Sequence, residues 1–270
     1  MNKIVLGSSW KMHKTLREAE QYVHVLKDNL DLVERFRVFL AVAFPYLLET
    51  RKMVTGTSIM IAAQNMHWEE KGAYTGEISA AMLEDVGVQM VIVGHPERKA
   101  FFNETDYTVN LKLVTALKHN LIPLIVVGEN REEKECGITE ETISRQIKVA
   151  LHGVEIFKNC PFYIAYEPIW AIGDSGVPAD PAYAEKIHAY IRKVLRHLYS
   201  SRADEIPIIY GGNVNLKNCT DFIRKENVDG LFLGRSSYDP HAFIEIAQRI
   251  EATGTVTNSS LAAPIQQEQR

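Results

Sequence analysis

Three titratable side chains stand singly beside apolar runs, far apart in the chain. They are Lys11 in GSSWKMHK, His95 in VGHPERK and Glu167 in AYEPIWAIG. A cation, an imidazole and a carboxylate are groups that can move protons and steady developing charge. Two glycine-rich stretches, YGGNVN (Tyr210–Asn215) and DGLFLGRSS (Asp229–Ser237), offer backbone N–H groups of the kind that hold phosphate. Taken singly, each has an ordinary alternative. Lys11 reads equally as a surface lysine, His95 as a satisfied helix-start histidine, Glu167 as half of an ion pair, and the glycines as tight turns. Their weight depends on whether the chain brings them together.

Eight short apolar runs supply that convergence. Ile4–Leu6, Val38–Val42, Ser58–Ala62, Met90–Val93, Pro123–Val127, Phe162–Ala165, Ile206–Ile209 and Leu231–Leu233 read as strands. They are continuous rather than alternating, as in a parallel sheet covered on both faces. Amphipathic helical patterns lie between them, over Leu16–Leu30, Tyr107–Asn120, Glu141–Leu151 and Ala182–Leu198, with His241–Ala252 after the last strand. The first sets Leu16, Ala19, Tyr22, Val23 and Leu26 along one face. Repeated strand-then-helix units in this length predict an α/β chain closed into a single (β/α)8 barrel. A doubly wound sheet competes, but no GxGxxG follows the first strand and no linker splits the chain. The barrel domain is expected over residues 1–252, with the small, polar segment 253–270 as a C-terminal tail. Lys11 then follows the first strand, His95 the fourth, Glu167 the sixth, and the glycine stretches the seventh and eighth. All share the rim where such barrels place their active sites.

The 270 residues carry a net charge of -4 and are 46% hydrophobic, enough for a sizeable core. A mildly acidic balance gives no reason to expect nucleic acid. No apolar run reaches the roughly 18–20 residues of a membrane span. The opening MNKIVLGSSWKMHK lacks the apolar stretch and cleavage site of a signal peptide, so a cytoplasmic protein is expected. Cys136, Cys160 and Cys219 are odd in number and not at CxxC spacing, which suits incidental thiols in a reducing compartment.

AYEPIWAIG, GHPER, QNMHWEEKGAYTGEIS (Gln64–Ser79), YGGNVN and DGLFLG occur in the order and spacing of one family. To about Ala252 the chain resembles the triosephosphate isomerases, whose fold is the TIM barrel. The resemblance implies that Glu167 is the catalytic base, His95 the electrophile and Lys11 the oxyanion stabiliser, with Glu97 as partner to that lysine. It implies that Gly173, Asn213, Gly234 and Arg235 hold the substrate phosphate through backbone amides. Residues 168–179 match a lid that closes over the phosphate. The Gln64–Ser79 loop matches one that reaches into a neighbouring subunit, with Thr75 at its tip, so a homodimer is expected. No cofactor and no metal are expected, because the bonds broken are C–H bonds acidified by a carbonyl and no Cys/His cluster is available.

Departures from the family pattern gather around the substrate. Ser9 and His13 stand where the family has asparagines, Pro96 and Asn213 where it has serines, and Arg235 where it has a glycine. The lid tip reads Asp174–Ser175–Gly176 instead of a Thr-Gly-Lys-like segment. With Lys11, His95 and Glu167 intact, this combination resembles the branch of the family that isomerises L-erythrulose 1-phosphate to D-erythrulose 4-phosphate in erythritol catabolism. The expected partner is a phosphorylated three- or four-carbon ketose, the four-carbon one preferred, with Ser9 opening room near the reacting carbons. A glycolytic triosephosphate isomerase is the alternative, and a catalytically inactive sugar-phosphate-binding barrel the reading outside this class.

Overall fold

A computed structural model of the chain describes residues 3–155, 162–173 and 176–254. Its strands are β1 (Val5–Ser9), β2 (Arg37–Val42), β3 (Met60–Ala63), β4 (Met90–Val93), β5 (Ile122–Val127), β6 (Tyr163–Tyr166), β7 (Ile208–Tyr210) and β8 (Gly230–Leu233). They pair in parallel in chain order, and β1 also pairs with β8 through Val5–Gly230 to Ser8–Leu233, closing the barrel.

Each strand serves two cores. Val5, Phe39, Ala41, Ala62, Met90, Ile92, Leu124, Val126, Tyr163, Ala165, Ile209 and Phe232 fill the barrel interior. The alternate positions, such as Leu6, Leu40, Ile164 and Leu231, pack with the helices in a larger outer core. The strands therefore carry no polar face, which is why they read as unbroken apolar runs. Gly7 is needed inside: a Cβ there would lie 2.1 Å from the Phe39 ring.

The helices begin where their caps say. Thr15 and Glu18 form a reciprocal capping box on helix Leu16–Asp28, while Asp180 and Asp239 cap helices Pro181–Tyr199 and Pro240–Glu251. Ala19, Tyr22, Val23 and Leu26 are buried as their spacing predicts, with Leu16 only partly covered. Strand ends shift for physical reasons. β1 runs beyond Leu6 through polar Ser8 and Ser9, because the Ser8 hydroxyl is satisfied by Ser237 at 2.8 Å. β7 starts two residues later than its apolar run, after a 3₁₀ turn over Ser200–Glu205 and Pro207, which has no N–H for the ladder. Of the expected tail, Thr253 and Gly254 are described and 255–270 lie outside the described residues. Cys136 is exposed, Cys219 is buried, and Cys160 also lies outside.

Candidate active site

The C-terminal strand ends bring the sequence-selected residues to one pocket. Ser9, Lys11, His95, Glu97, Glu167, Gly173, Asn213, Gly234 and Arg235 all line a cavity of about 300 Å³. Among the described residues no helix is long and apolar enough to cross a membrane. No three His, Cys, Asp or Glu side chains among them are grouped as metal ligands.

Lys11 lies two residues past β1 in the left-handed region, at φ 48°. Such a backbone costs a non-glycine residue about 1–2 kcal/mol and has to be held. Gln64 holds it: its side-chain amide donates to the carbonyls of Lys11 (2.8 Å) and Ala41 (3.0 Å). The ammonium then reaches Glu97 Oε1 at 2.5 Å. Burial works against the charged lysine, but Glu167 and Glu97 outweigh it and hold its pKa above the ordinary value. Lys11 is therefore a fixed positive charge.

His95 caps the short helix Pro96–Phe101. The Glu97 backbone N–H donates to His95 Nδ1 at 3.3 Å, which leaves the proton of the neutral ring on Nε2. Burial and the Lys11 charge push the ring's pKa down to about 4, so the imidazole is neutral near pH 7. Nε2 lies 3.4 Å from Glu167 Oε2. A buried charge cluster fixes this corner from behind. Glu104 accepts from the Gly94 N–H (2.6 Å), Arg98 Nε (2.9 Å) and Lys112 Nζ (2.5 Å), and Lys112 also donates to Asn65 at 2.7 Å.

Glu167 is only 3% exposed. Burial raises its pKa to about 8, with Lys11 partly opposing, so the carboxylate is a far stronger base than one in water. Two glycines make room for it. A Cβ on Gly128 would lie 1.8 Å from the Glu167 carbonyl oxygen, and one on Gly211 would lie 2.5 Å from Glu167 Cγ.

The segment after Glu167 folds as a 3₁₀ turn, Ile169–Ala171, and Ala171, Ile172 and Gly173 wall the cavity. Trp170 Nε1 donates to the buried Glu129 carboxylate at 2.8 Å, which also accepts from the Tyr166 and Tyr183 hydroxyls. Asp174 and Ser175 of the expected lid tip lie outside the described residues. Among the described residues, the N–H groups of Gly173, Asn213 and Gly234 donate to no main-chain carbonyl. The cavity wall thus carries amides suited to an anion opposite the carboxylate and imidazole.

Sequence reasoning missed three supports of this site. Gln64 was visible in the Gln64–Ser79 stretch but not its reach back to Lys11. Glu129 was visible only as a charge after the apolar β5. The Glu104–Lys112 pair carried no local signal. The Gln64–Ser79 loop exposes little apolar surface. Met66 is fully buried and Trp68 is half-buried against His67, which leaves Tyr74, 43% exposed, as its large exposed hydrophobic.

A family model described as triosephosphate isomerase matches residues 3–250. The chain is 42% identical over 249 residues to an L-erythrulose-1-phosphate isomerase of Mesorhizobium japonicum, covering 92% of this chain and 97% of that protein. It is 40% identical over 249 residues to the protein of that name from Rhizobium etli, covering 92% of each. It is also 40% identical over 242 residues to a triosephosphate isomerase of Aquifex aeolicus, covering 90% of this chain and 97% of that protein.

Proposed function

This chain belongs to the triosephosphate isomerase family, and from that premise we propose that it converts L-erythrulose 1-phosphate to D-erythrulose 4-phosphate, a step of erythritol catabolism. Glu167 takes the proton from C3, next to the ketone. His95 Nε2–H donates a hydrogen bond to the oxygen that gains charge, and Lys11 steadies the resulting 2,3-enediolate. Glu167 returns the proton to C2 while His95, which gives its Nε2 proton to O2, regains one from the O3 hydroxyl, and the carbonyl moves to C3. Backbone amides of Gly173, Asn213, Gly234 and Arg235 hold the phosphate, and Glu97 keeps Lys11 aimed.

The observation that carries this reading is one pocket holding a buried carboxylate of raised pKa within 3.4 Å of a neutral imidazole, with Lys11 alongside. For the tetrulose in particular, the support is Ser9. It is almost fully buried in the same wall, where a short hydroxyl leaves space and a hydrogen-bond partner for the extra hydroxymethyl. Glyceraldehyde 3-phosphate formation from dihydroxyacetone phosphate is the second reading, favoured by the intact trio and the Aquifex aeolicus relative. The two share a base and a phosphate anchor, so a side-by-side assay of both ketoses decides. We expect much the higher kcat/KM on L-erythrulose 1-phosphate; a higher value on dihydroxyacetone phosphate makes the protein a triosephosphate isomerase. Proton exchange into neither sugar makes it an inactive binding barrel. Phosphorylated ketoses do not cross membranes unaided, which suits work in the cytoplasm.

The working form is a homodimer in this proposal. Tyr74 beside Thr75 is exposed, as are Met12 (95%), Phe101 (75%), Phe102 (62%) and Met82 (56%), side chains that gain from cover. Replacing Glu69–Glu77 by a short turn should give monomers of poor activity, read by light scattering. A single-chain mass for the intact protein refutes the dimer.

A further inference from the structure

The barrel closes where its first strand meets its last. The β1–β8 ladder ends at Ser8–Leu233, and Lys11 and Gly234 lie beyond it. Past that point side chains must hold the two turns in register. Beneath the turns, Ser8 Oγ donates to Ser237 Oγ at 2.8 Å, and Ser237 Oγ reaches the carbonyls of Leu233 and Gly234 at 3.0 and 2.8 Å. Farther out, Lys14 Nζ donates to the Tyr238 carbonyl at 2.7 Å and lies 4.9 Å from the centre of the Tyr22 ring. The His13 ring packs on the Tyr238 ring, with centroids 4.4 Å apart and planes tilted by 38°. Both residues line the cavity, with Lys11, Gly234 and Arg235. His13 is held in its own turn by its N–H on the Trp10 carbonyl (3.2 Å), and Tyr238 in its own by its N–H on the Arg235 carbonyl (3.1 Å).

We propose that His13 and Tyr238 are positioning residues, whose packed rings lock the Lys11 turn to the Gly234–Arg235 turn so that ammonium and amides meet on one phosphate. The spacing to be kept is short. A Cβ on Gly234 would lie 3.9 Å from Lys11 Cε, so the lysine stem passes close by that glycine. Gln64 and Glu97 hold Lys11 from the loops after β3 and β4. Neither refers the lysine to the amides after β8, and the ring pair does. Aromatic rings gain from such an approach beyond the area they bury. A charge and an amide set that slip relative to each other lose binding and rate together, because both must face the same group. This role rests on the isomerase reading for its anion, and His13 takes no part in proton transfer.

The test is calorimetric titration of inorganic phosphate into the full chain. In H13A and in Y238A the Kd for phosphate should rise about fivefold, the factor for one lost ring pair, with circular dichroism unchanged. H13F and Y238F keep the rings and should stay within about twofold of the parent. The double variant H13A/Y238A should be no weaker than either single one, because the two rings act as a unit. His13 is exposed, so H13A decides should Y238A fold poorly. Unchanged phosphate affinity in H13A overturns the role, as does a parent that binds no phosphate. If H13F is as weak as H13A, the imidazole itself holds the anion and the ring pair is not the device. Losses that multiply in the double variant overturn it too. No sugar enters this titration. Weaker phosphate binding in H13A with turnover of neither ketose by the parent would sink the isomerase reading and leave the positioning role; turnover with unchanged affinity in H13A would do the reverse.

Discussion

The corner that holds Lys11, His95 and Glu167 and the mouth lined by Gly173, Asn213, Gly234 and Arg235 are built in opposite ways, though both sit on the same barrel rim. At the corner His95 and Glu167 are buried, Lys11 is half-buried, and each is held from behind. Gln64 fixes Lys11, the Glu97 amide fixes the His95 tautomer, and Gly128 and Gly211 seat Glu167. At the mouth, Arg235 is exposed, and its side chain and that of Asn213 touch a turn instead of a packed core. Of the departures from the family pattern at described positions, Asn213 and Arg235 stand on the mouth-side loops and the His13 ring packs on Tyr238, while Ser9 and Pro96 border the corner without replacing its reacting groups. The contrast supports the proposal that preformed burial sets the chemistry and the residues around it the substrate.

If the corner is the seat of chemistry, its substitutions should be the most severe. Glu167→Gln keeps the shape and removes the base; kcat should fall by about 10³-fold, with unchanged circular dichroism and subunit mass. A loss under about tenfold would break the comparison at its root. His95→Gln and Lys11→Ala should each lower kcat by about 10²-fold or more, since both act on charge that develops in the transition state. Unchanged turnover in either would mean that the corner is misread.

A gentler break is Gln64→Ala, which touches no substrate. It releases Lys11 from its left-handed backbone, and kcat/KM should fall about tenfold, mostly through kcat. Equal losses in Gln64→Ala and Lys11→Ala would remove the distinction between a support and the group it supports.

The smallest effect is thermodynamic. Glu167 has a folded pKa of about 8 against about 4.5 in the unfolded chain. The folded state therefore binds the extra proton between those values, and stability is lost as pH rises from about 4.5 to about 8. Glu167→Gln removes that penalty. Its Tm should exceed the parent's by about 3 °C or more at pH 8.5, and by under about 1 °C at pH 5, in scanning calorimetry. An equal difference at both pH values would show that the carboxylate is not strained by burial.

Much of the barrel was legible because its strands carry apolar residues on both faces and its helices carry them on one. Lys11, His95, Glu167 and the glycine-rich loops were legible because rim positions follow strand ends directly. Their supports were not. Gln64 and Lys11 are 53 residues apart, and Tyr183 and Glu129 are 54 apart, so no local pattern links them. The direction of the Arg235 side chain depends on where the Gly173 carbonyl lies, which sequence spacing does not encode. Met66 lies within the Gln64–Ser79 loop, yet the fold turns it into the core.

The glycines at 128 and 211 also mark where this catalyst can and cannot be retailored. Any side chain at either position collides with the base's own backbone or methylene, so a saturation library there would return mainly inactive clones. Positions 9, 13, 213 and 235 already carry side chains and line the same cavity. A lineage, natural or laboratory, seeking a new ketose phosphate would thus find its accessible steps around the base and not against it.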